Sequence, residues 1–311
     1  MAIEHASVQL ARKPWGVADL RPWSGIDGSG GAVGELWFQR TDKRAPDPAL
    51  LLKLLFTSEP LSIQVHPDDA FARSIGLPNG KTEAWYILAA TPDARVAVGL
   101  KRHLATEELR AAIRDGSIAA LAHWRSVAKD DVIFVPAGTI HAIGAGIVLA
   151  EIQQHSDATF RLFDYGRQRQ LHEESAVAVS DAGPAQAQAA LRRLTDARTV
   201  LTANPHFVLE RIELPANSNW VLNAERETWI LVIEGHATIG SISASVGDAV
   251  FVEADRADIE VGPAGMSGLL AYPGPDPTMS LLAETGEHMT KSAAASAARE
   301  QKPNEIVEAR T

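Results

Sequence analysis

Leu61-Ser62-Ile63-Gln64-Val65-His66-Pro67-Asp68-Asp69, Gly80-Lys81-Thr82-Glu83-Ala84-Trp85-Tyr86 and Val135-Pro136-Ala137-Gly138-Thr139-Ile140-His141 carry the reading of this chain. All three lie within Leu61–Arg161. Leu61–Val65 reads as a short strand, and residues two apart on a strand point to one side, so Gln64 and His66 share a face. Glu83 opens a second strand pattern, Glu83–Leu88, after the turn Pro78-Asn79-Gly80. Asp131–Val135 is a third, and the turn Pro136-x-Gly138-x-x-His141 behind it aims His141 inward. Gln64, His66, Glu83 and His141 therefore make a candidate set of nitrogen and oxygen ligands. Such a set suits zinc or another divalent transition metal and leaves a position open for water or substrate. The remaining histidines show no such spacing and read as structural.

Outward from this stretch, short strands dominate. Leu50–Phe56 is a near-continuous apolar run interrupted by Lys53. Burying an unpaired ammonium is costly. Lys53 either sits at the strand end and reaches back to water or points into a polar pocket. Val96–Gly99, Ile147–Gln153 and Thr159–Phe163 read as further strands. Between them Thr106 is placed to cap a helix running to about Asp115, with Gly116 as its stop. Ser117 is placed to cap a shorter helix carrying Ile118, Leu121 and Trp124, which makes a small helical insertion at about 105–125. Upstream, Lys13-Pro14-Trp15-Gly16 opens a Gly-rich segment read as turns and loop, followed by the strand pattern of Gly34–Arg40. Leu171–Ala197 is rich in Ala and Gln, breaks at Gly183-Pro184, and reads as short helices between two halves. Strand patterns return from Phe207 and continue to about Ala271. Many short strands separated by turn residues indicate a β-barrel or jelly roll. After about Leu282 the pattern fails, and a Ser- and Ala-rich tail with charged residues is expected to be disordered.

The 311 residues are enough for one large or two medium domains. The chain has no apolar run of about 18 residues, so no transmembrane helix is expected. Met1-Ala2-Ile3-Glu4-His5 lacks the basic and apolar regions of a signal peptide. Cysteine is absent, which rules out disulfides and thiolate metal sites and fits the cytoplasm. With 29 basic and 39 acidic residues the formal charge is −10, so neither nucleic acid nor an anionic membrane is expected as a partner. A small anionic substrate remains compatible if a few basic residues line the pocket. The oligomeric state is left open.

The Pro-x-Gly-x-x-His turn after an Asp-led strand resembles the second motif of the cupin superfamily, small jelly-roll barrels that hold a metal inside. Gln64-x-His66 with a longer gap to Glu83 departs from the usual His-x-His first motif. That variation is similar to the metal-dependent mannose-6-phosphate isomerases of the cupin type. Leu61–Pro67 looks like that family's signature, Gly80–Tyr86 resembles the bacterial version of its second segment, and His141-Ala142, Glu151-Ile152-Gln153-Gln154 and Ser156–Arg161 resemble its third. Lys13-Pro14-Trp15-Gly16 and Gly34-Glu35 also fit. The resemblance covers about residues 10 to 280.

The resemblance implies a mainly β chain built as two cupin-type jelly-roll barrels, with a small helical insertion and a helical linker. It divides the chain into a catalytic barrel at 1–165, a linker at 166–200, a degenerate second barrel at 201–283 and a tail at 284–311. In the second barrel, Glu253-Ala254-Asp255-Arg256-Ala257 stands where the histidine turn should follow, so no equivalent site can form there. The implied metal is a single divalent ion, zinc by preference, on Gln64, His66, Glu83 and His141. Arg161 matches the family's active-site arginine, and Lys81 and Glu151 join it as catalytic candidates. Ser62, Lys53, Lys81, Asp157 and Arg167 are the implied substrate-binding residues. His155 departs from the Asn expected in the third segment, which bears on sugar preference more than on the reaction. The implied activity interconverts D-mannose 6-phosphate and D-fructose 6-phosphate through an enediol-type intermediate. A non-catalytic sugar-phosphate-binding cupin and a different metal-dependent cupin enzyme are the alternatives.

Overall fold

In the computed structural model, residues 2–26 and 30–285 are described. The tail expected at 284–311 lies outside them except for its first two residues. Three antiparallel sheets make up the fold. One is six-stranded, in the order Ser7–Val17, Val33–Gln39, Leu50–Thr57, Ile147–Gln154, Glu83–Ala90 and Val132–Val135. A second is five-stranded, in the order Phe160–Phe163, Ile63–Val65, His141–Ile143, Arg95–Leu100 and Ala122–Ser126. These two sheets face each other: Leu55, Trp85 and Ile87 of the first share one apolar cluster with Val96, Val98 and Ile143 of the second. The third sheet has ten strands and is formed chiefly by the second half of the chain.

The period-two alternation of a strand explains the apolar run Leu50–Thr57. Leu50, Leu52, Leu54 and Phe56 pack outward against Phe207, Leu209, Trp229, Leu231 and Phe251 of the ten-stranded sheet. Leu55 faces inward, into the space between the first two sheets. A strand buried on both faces reads as a continuous hydrophobic run, and each fully buried leucine contributes about 1.5–3 kcal/mol. Lys53 shares the inward parity of Leu55. It is 2% exposed, so it lies inside the barrel and does not reach back to water.

The ten-stranded sheet bends around its longest strand, Asp255–Pro273. The first part of that strand pairs with Asn219–Ala224 and the second with Phe207–Leu214, while Thr228–Ile239 runs beside both. The register slips between Val232 and Glu234 and again between Gly235 and Ala237. Gly235, at φ 75°, makes this corner possible: a Cβ there would stand 2.0 Å from the Gly265 carbonyl oxygen. The interior is filled by Ile212, Leu222, Ile230, Val232, Ile259 and their neighbours. Among the described residues, no metal-capable group lies in this half.

Several local expectations change in three dimensions. Ala2–His5 is a strand of the ten-stranded sheet, paired with Val250–Glu253. Ser7–Val17 is an eleven-residue strand that runs on into the segment from Lys13, where turns and loop were expected. It is an edge strand, where a proline is tolerated, and its pairing breaks between Arg12 and Val17 around Pro14. The helix Thr106–Asp115 takes Ala105 as its N-cap, without a side-chain hydrogen bond, and stops as expected at Gly116 with φ 79°. The second helix is only Ile118–Leu121, and Trp124 belongs to the strand Ala122–Ser126. In 166–200 the helical part is Glu173–Val179, and Arg192–Arg193 and Arg198–Ala203 are strands of the ten-stranded sheet. Arg198, Val200 and Leu201 are buried there, so tertiary pairing outweighs the local composition.

Candidate metal centre

His141 pairs in register with Gln64, and Gln64 pairs on its other side with Arg161. Residues directly opposite in a sheet project to the same face, so one row of the five-stranded sheet presents Arg161, Gln64 and His141 together. Glu83 approaches from the six-stranded sheet. Its Oε2 lies 3.3 Å from His66 Nε2 and its Oε1 lies 3.3 Å from His141 Nε2. His66, Glu83 and His141 are each at most 1% exposed, and one ligand atom from each falls within 4.8 Å of the others.

Both imidazoles are oriented from behind. His66 Nδ1 lies 2.7 Å from the Ala158 carbonyl and His141 Nδ1 lies 2.8 Å from the Thr139 carbonyl. A carbonyl only accepts, so each Nδ1 carries the proton and each Nε2 lone pair faces the centre. Burial, reinforced by Lys81 and partly offset by Glu83, pushes His66 down to about 3. Burial also lowers His141. Burial alone would raise Glu83, but Lys81, His66 and His141 hold it well below the usual carboxylate range. The centre is therefore a carboxylate and two neutral imidazoles at neutral pH. His66 Nε2 and both Glu83 oxygens have no hydrogen-bond partner. Gln64 Nε2 lies 3.3 Å from His141 Nε2, and Ser62 Oγ donates to Gln64 Oε1 at 3.1 Å. A half-turn of the amide exchanges its ends, so that Oε1 faces the centre and Nε2 donates to Ser62. The unpartnered His66 Nε2 and Glu83 oxygens, with His141 Nε2 and, in that orientation of the amide, Gln64 Oε1 beside them, fit a divalent cation.

A layer of buried charge adjoins the centre. Lys81 Nζ lies 3.2 Å from Glu83 Oε2. Its burial opposes ionisation, but Glu83, Glu151, Asp157 and Glu35 raise its pKa, so it stays an ammonium. Lys53 and Glu151 face each other in register, with Nζ and Oε2 3.5 Å apart. Burial and Glu83 push the Glu151 carboxyl up, against the pull of Lys81 and Lys53. Its Oε1 accepts from Trp85 Nε1 at 3.1 Å.

The remaining predicted residues are distributed unevenly. Arg161 Nε is buried without a partner. Asp157 is exposed, yet its charge acts on both Lys53 and Lys81. Arg167 is engaged elsewhere: Nη2 donates to the Pro60 carbonyl at 2.6 Å, and Nε lies 3.3 Å from Asp164 Oδ1. Residues to which the motif reading gave no role join the same faces. Trp85 packs edge-on against His141, with ring centroids 5.6 Å apart. Gln153 pairs with Glu83 and is fully buried, with its Oε1 unpartnered. Glu35 and Trp37 lie on the strand beside Lys53. Strand parity was the available signal: 35, 37, 53, 83, 85, 151 and 153 are odd positions of neighbouring strands.

No protein-family model matches the chain. The mannose-6-phosphate isomerase of Streptococcus mutans serotype c is 36% identical over 203 residues, covering 61% of this chain and 63% of that protein. The mannose-6-phosphate isomerase ManA of Bacillus subtilis is 42% identical over 139 residues, covering 42% of this chain and 43% of its own length. The matched stretches thus span well under the full length of these relatives. Among solved structures, mannose 6-phosphate isomerase from Bacillus subtilis superposes with a TM-score of 0.76 at 23% identity, covering 88% of this chain and 100% of that one. A point mutant of phosphomannose isomerase from Salmonella typhimurium superposes with a TM-score of 0.70 at 16% identity, with the same coverage. The structural likeness establishes a shared fold.

Proposed function

We infer that the chain belongs to the mannose-6-phosphate isomerases and interconverts D-mannose 6-phosphate and D-fructose 6-phosphate. The observation that carries this reading is the buried His66–Glu83–His141 group, in a barrel that shares the fold of proteins so named and whose sequence matches theirs. On this reading the catalytic barrel is the 1–165 region, and 201–283 supports it without a site of its own. Gln64 and His66 join Glu83 and His141 in holding one divalent metal, with zinc favoured by the donor chemistry. The absence of cysteine supports a cytoplasmic setting. Among the described residues, no helix is long and apolar enough to cross a membrane.

When bound, the cation polarises the sugar's carbonyl and hydroxyl oxygens and offsets the negative charge that develops on them. The protein's own groups do the rest. Isomerisation moves a proton between C1 and C2, which calls for a group that can accept and return it. Glu151 is suited to that role, because burial and the Glu83 charge raise its proton affinity toward the working range. Lys81, held as an ammonium, donates hydrogen bonds to a substrate oxygen. Arg161, on the same sheet face as Gln64 and His141, adds a fixed positive charge opposite the developing oxyanion. Ser62, Lys53 and Lys81 supply the phosphate contacts, with Asp157 and Arg167 at the outer side.

The experiment is turnover of mannose 6-phosphate by purified, metal-replete protein, with fructose 6-phosphate assayed in the presence and absence of a chelator. Chelator-sensitive turnover that His141→Ala abolishes is expected. Stoichiometric metal without turnover would refute the isomerase reading.

A further inference from the structure

Lys53 is a flexible side chain that must hold one position inside the barrel. Its ammonium lies 3.5 Å from Glu151 Oε2 and 4.2 Å from the centroid of the Trp37 ring. Trp37 pairs in register with Lys53, and Lys53 with Glu151, so the three share one face. The indole does not stand free. Its Nε1 donates to Glu35 Oε2 at 2.6 Å, and the other oxygen of Glu35 lies 3.3 Å from Lys13 Nζ. Glu35 is only 7% exposed. Gly34 lets its strand and the edge strand Ser7–Val17 close over this arrangement: a Cβ there would stand 2.5 Å from Lys13 Cβ and 3.0 Å from Trp15 Nε1.

We propose that Trp37 is a positioning residue for Lys53: its ring face seats the ammonium, and the bond to Glu35 fixes the ring. An aromatic face attracts a desolvated cation without adding a proton acceptor. The seat therefore holds Lys53 toward the site while leaving its three N–H donors for Glu151 and an incoming anion. Burial and the nearby Lys81 lower the Lys53 pKa, and Glu151, Glu35 and Asp157 oppose that shift. Taken alone, the seat concerns geometry only. Its consequence for phosphate binding rests on the isomerase reading.

The test compares Trp37→Phe, which keeps a ring face, with Trp37→Leu, which removes it, in the full-length metal-loaded protein. Glu35→Gln serves as a third variant, since its amide oxygen still accepts from the indole. The first readout is independent of activity: acetylation of Lys53 by acetic anhydride, followed by peptide mass spectrometry. The Lys53 rate is expected to rise about fivefold or more in Trp37→Leu and less than about twofold in Trp37→Phe and Glu35→Gln. Equal rates in wild type and Trp37→Leu would overturn the seat. If Trp37→Leu does not fold, a Trp37→Phe or Glu35→Gln rate as high as that of a free lysine overturns it, and a protected rate supports it. The second readout is kinetic. KM for mannose 6-phosphate is expected to rise about tenfold in Trp37→Leu, with kcat changed by less than about threefold. A loss confined to kcat would overturn the placement of Lys53 at the phosphate. A wild-type protein with no turnover would sink the isomerase reading, and the acetylation ratios would still decide the seat.

Discussion

Glu227 ties the two halves of the chain together, and its titration predicts how that tie responds to pH. It precedes the strand Thr228–Ile239, is 7% exposed, and accepts from Ala49 N at 2.5 Å and Leu50 N at 2.8 Å. These donors lie at the start of Leu50–Thr57, the strand that carries Lys53. Burial pushes the carboxyl from 4.5 up to about 7; Glu253 adds to the shift, while the two backbone donors and Arg40 oppose it. The folded state thus binds the proton more tightly than the unfolded chain. Between the two pKa values the folded state carries more protons, so the contribution of Glu227 to stability falls as pH rises from about 4.5 to 7. At about 1.36 kcal/mol per pH unit the fall is roughly 3 kcal/mol. His66 changes stability in the opposite sense over part of the window, because its folded pKa is depressed to about 3. The comparison must therefore be wild type against Glu227→Gln. The amide keeps one acceptor and loses the other, a pH-independent offset of about 1 kcal/mol. Urea unfolding of the metal-free proteins, followed by tryptophan fluorescence, gives the two free energies at each pH. The stability of wild type relative to the variant is expected to decline by roughly 2–3 kcal/mol from pH 4.5 to 7.5 and to level off above. A difference that stays constant across this range, or grows with pH, would refute the reasoning.

Other perturbations separate the site from the scaffold. Saturating metal at about 100 times its Kd should stabilise wild type by about 2.7 kcal/mol; this increment should vanish in His141→Ala, as read by thermal unfolding with and without chelator. Arg198 and Glu210 form a buried ion pair at 2.8 Å with both side chains fully buried, and Tyr272 also donates to Glu210. Glu210→Ala leaves the guanidinium uncompensated, and denaturant titration should show a loss of about 3–5 kcal/mol, with Glu210→Gln losing less. Gly247 has φ 88° and a Cβ there would stand 1.9 Å from the Trp23 carbonyl oxygen. Gly247→Ala should cost about 2 kcal/mol or more, whereas Gly76→Ala, with φ 85° and open space around it, should cost about 1 kcal/mol. Equal losses in the two glycine variants would show that contact with Trp23 is not the cause.

The candidate ligand residues were legible because their chemistry is local. Gln64 and His66 share a face by strand parity, and His141 follows a turn whose Pro and Gly set its direction. Lys53 was not settled this way, since a lysine in an apolar run reads equally well as a strand end or a pocket residue. Register resolves it: Lys53 stands between Trp37 and Glu151. Trp85 and Gln153, though within the motifs, were given no role for the same reason, because the pairing of Trp85 with Glu151 and of Gln153 with Glu83 exists only across strands. The N-terminal strand Ala2–His5 offers too few residues for a pattern, and its partner lies at Val250–Glu253.

The order of short strands and turns, and the residue types able to hold a cation, follow from the sequence alone, because alternation, turn chemistry and donor identity are properties of neighbouring residues. Which strands pair, which face of Leu50–Thr57 looks inward, and how far burial and neighbouring charge move His66, Glu83 and Glu151 follow only from the tertiary structure. Those properties depend on register and desolvation, which arise when distant segments are brought together.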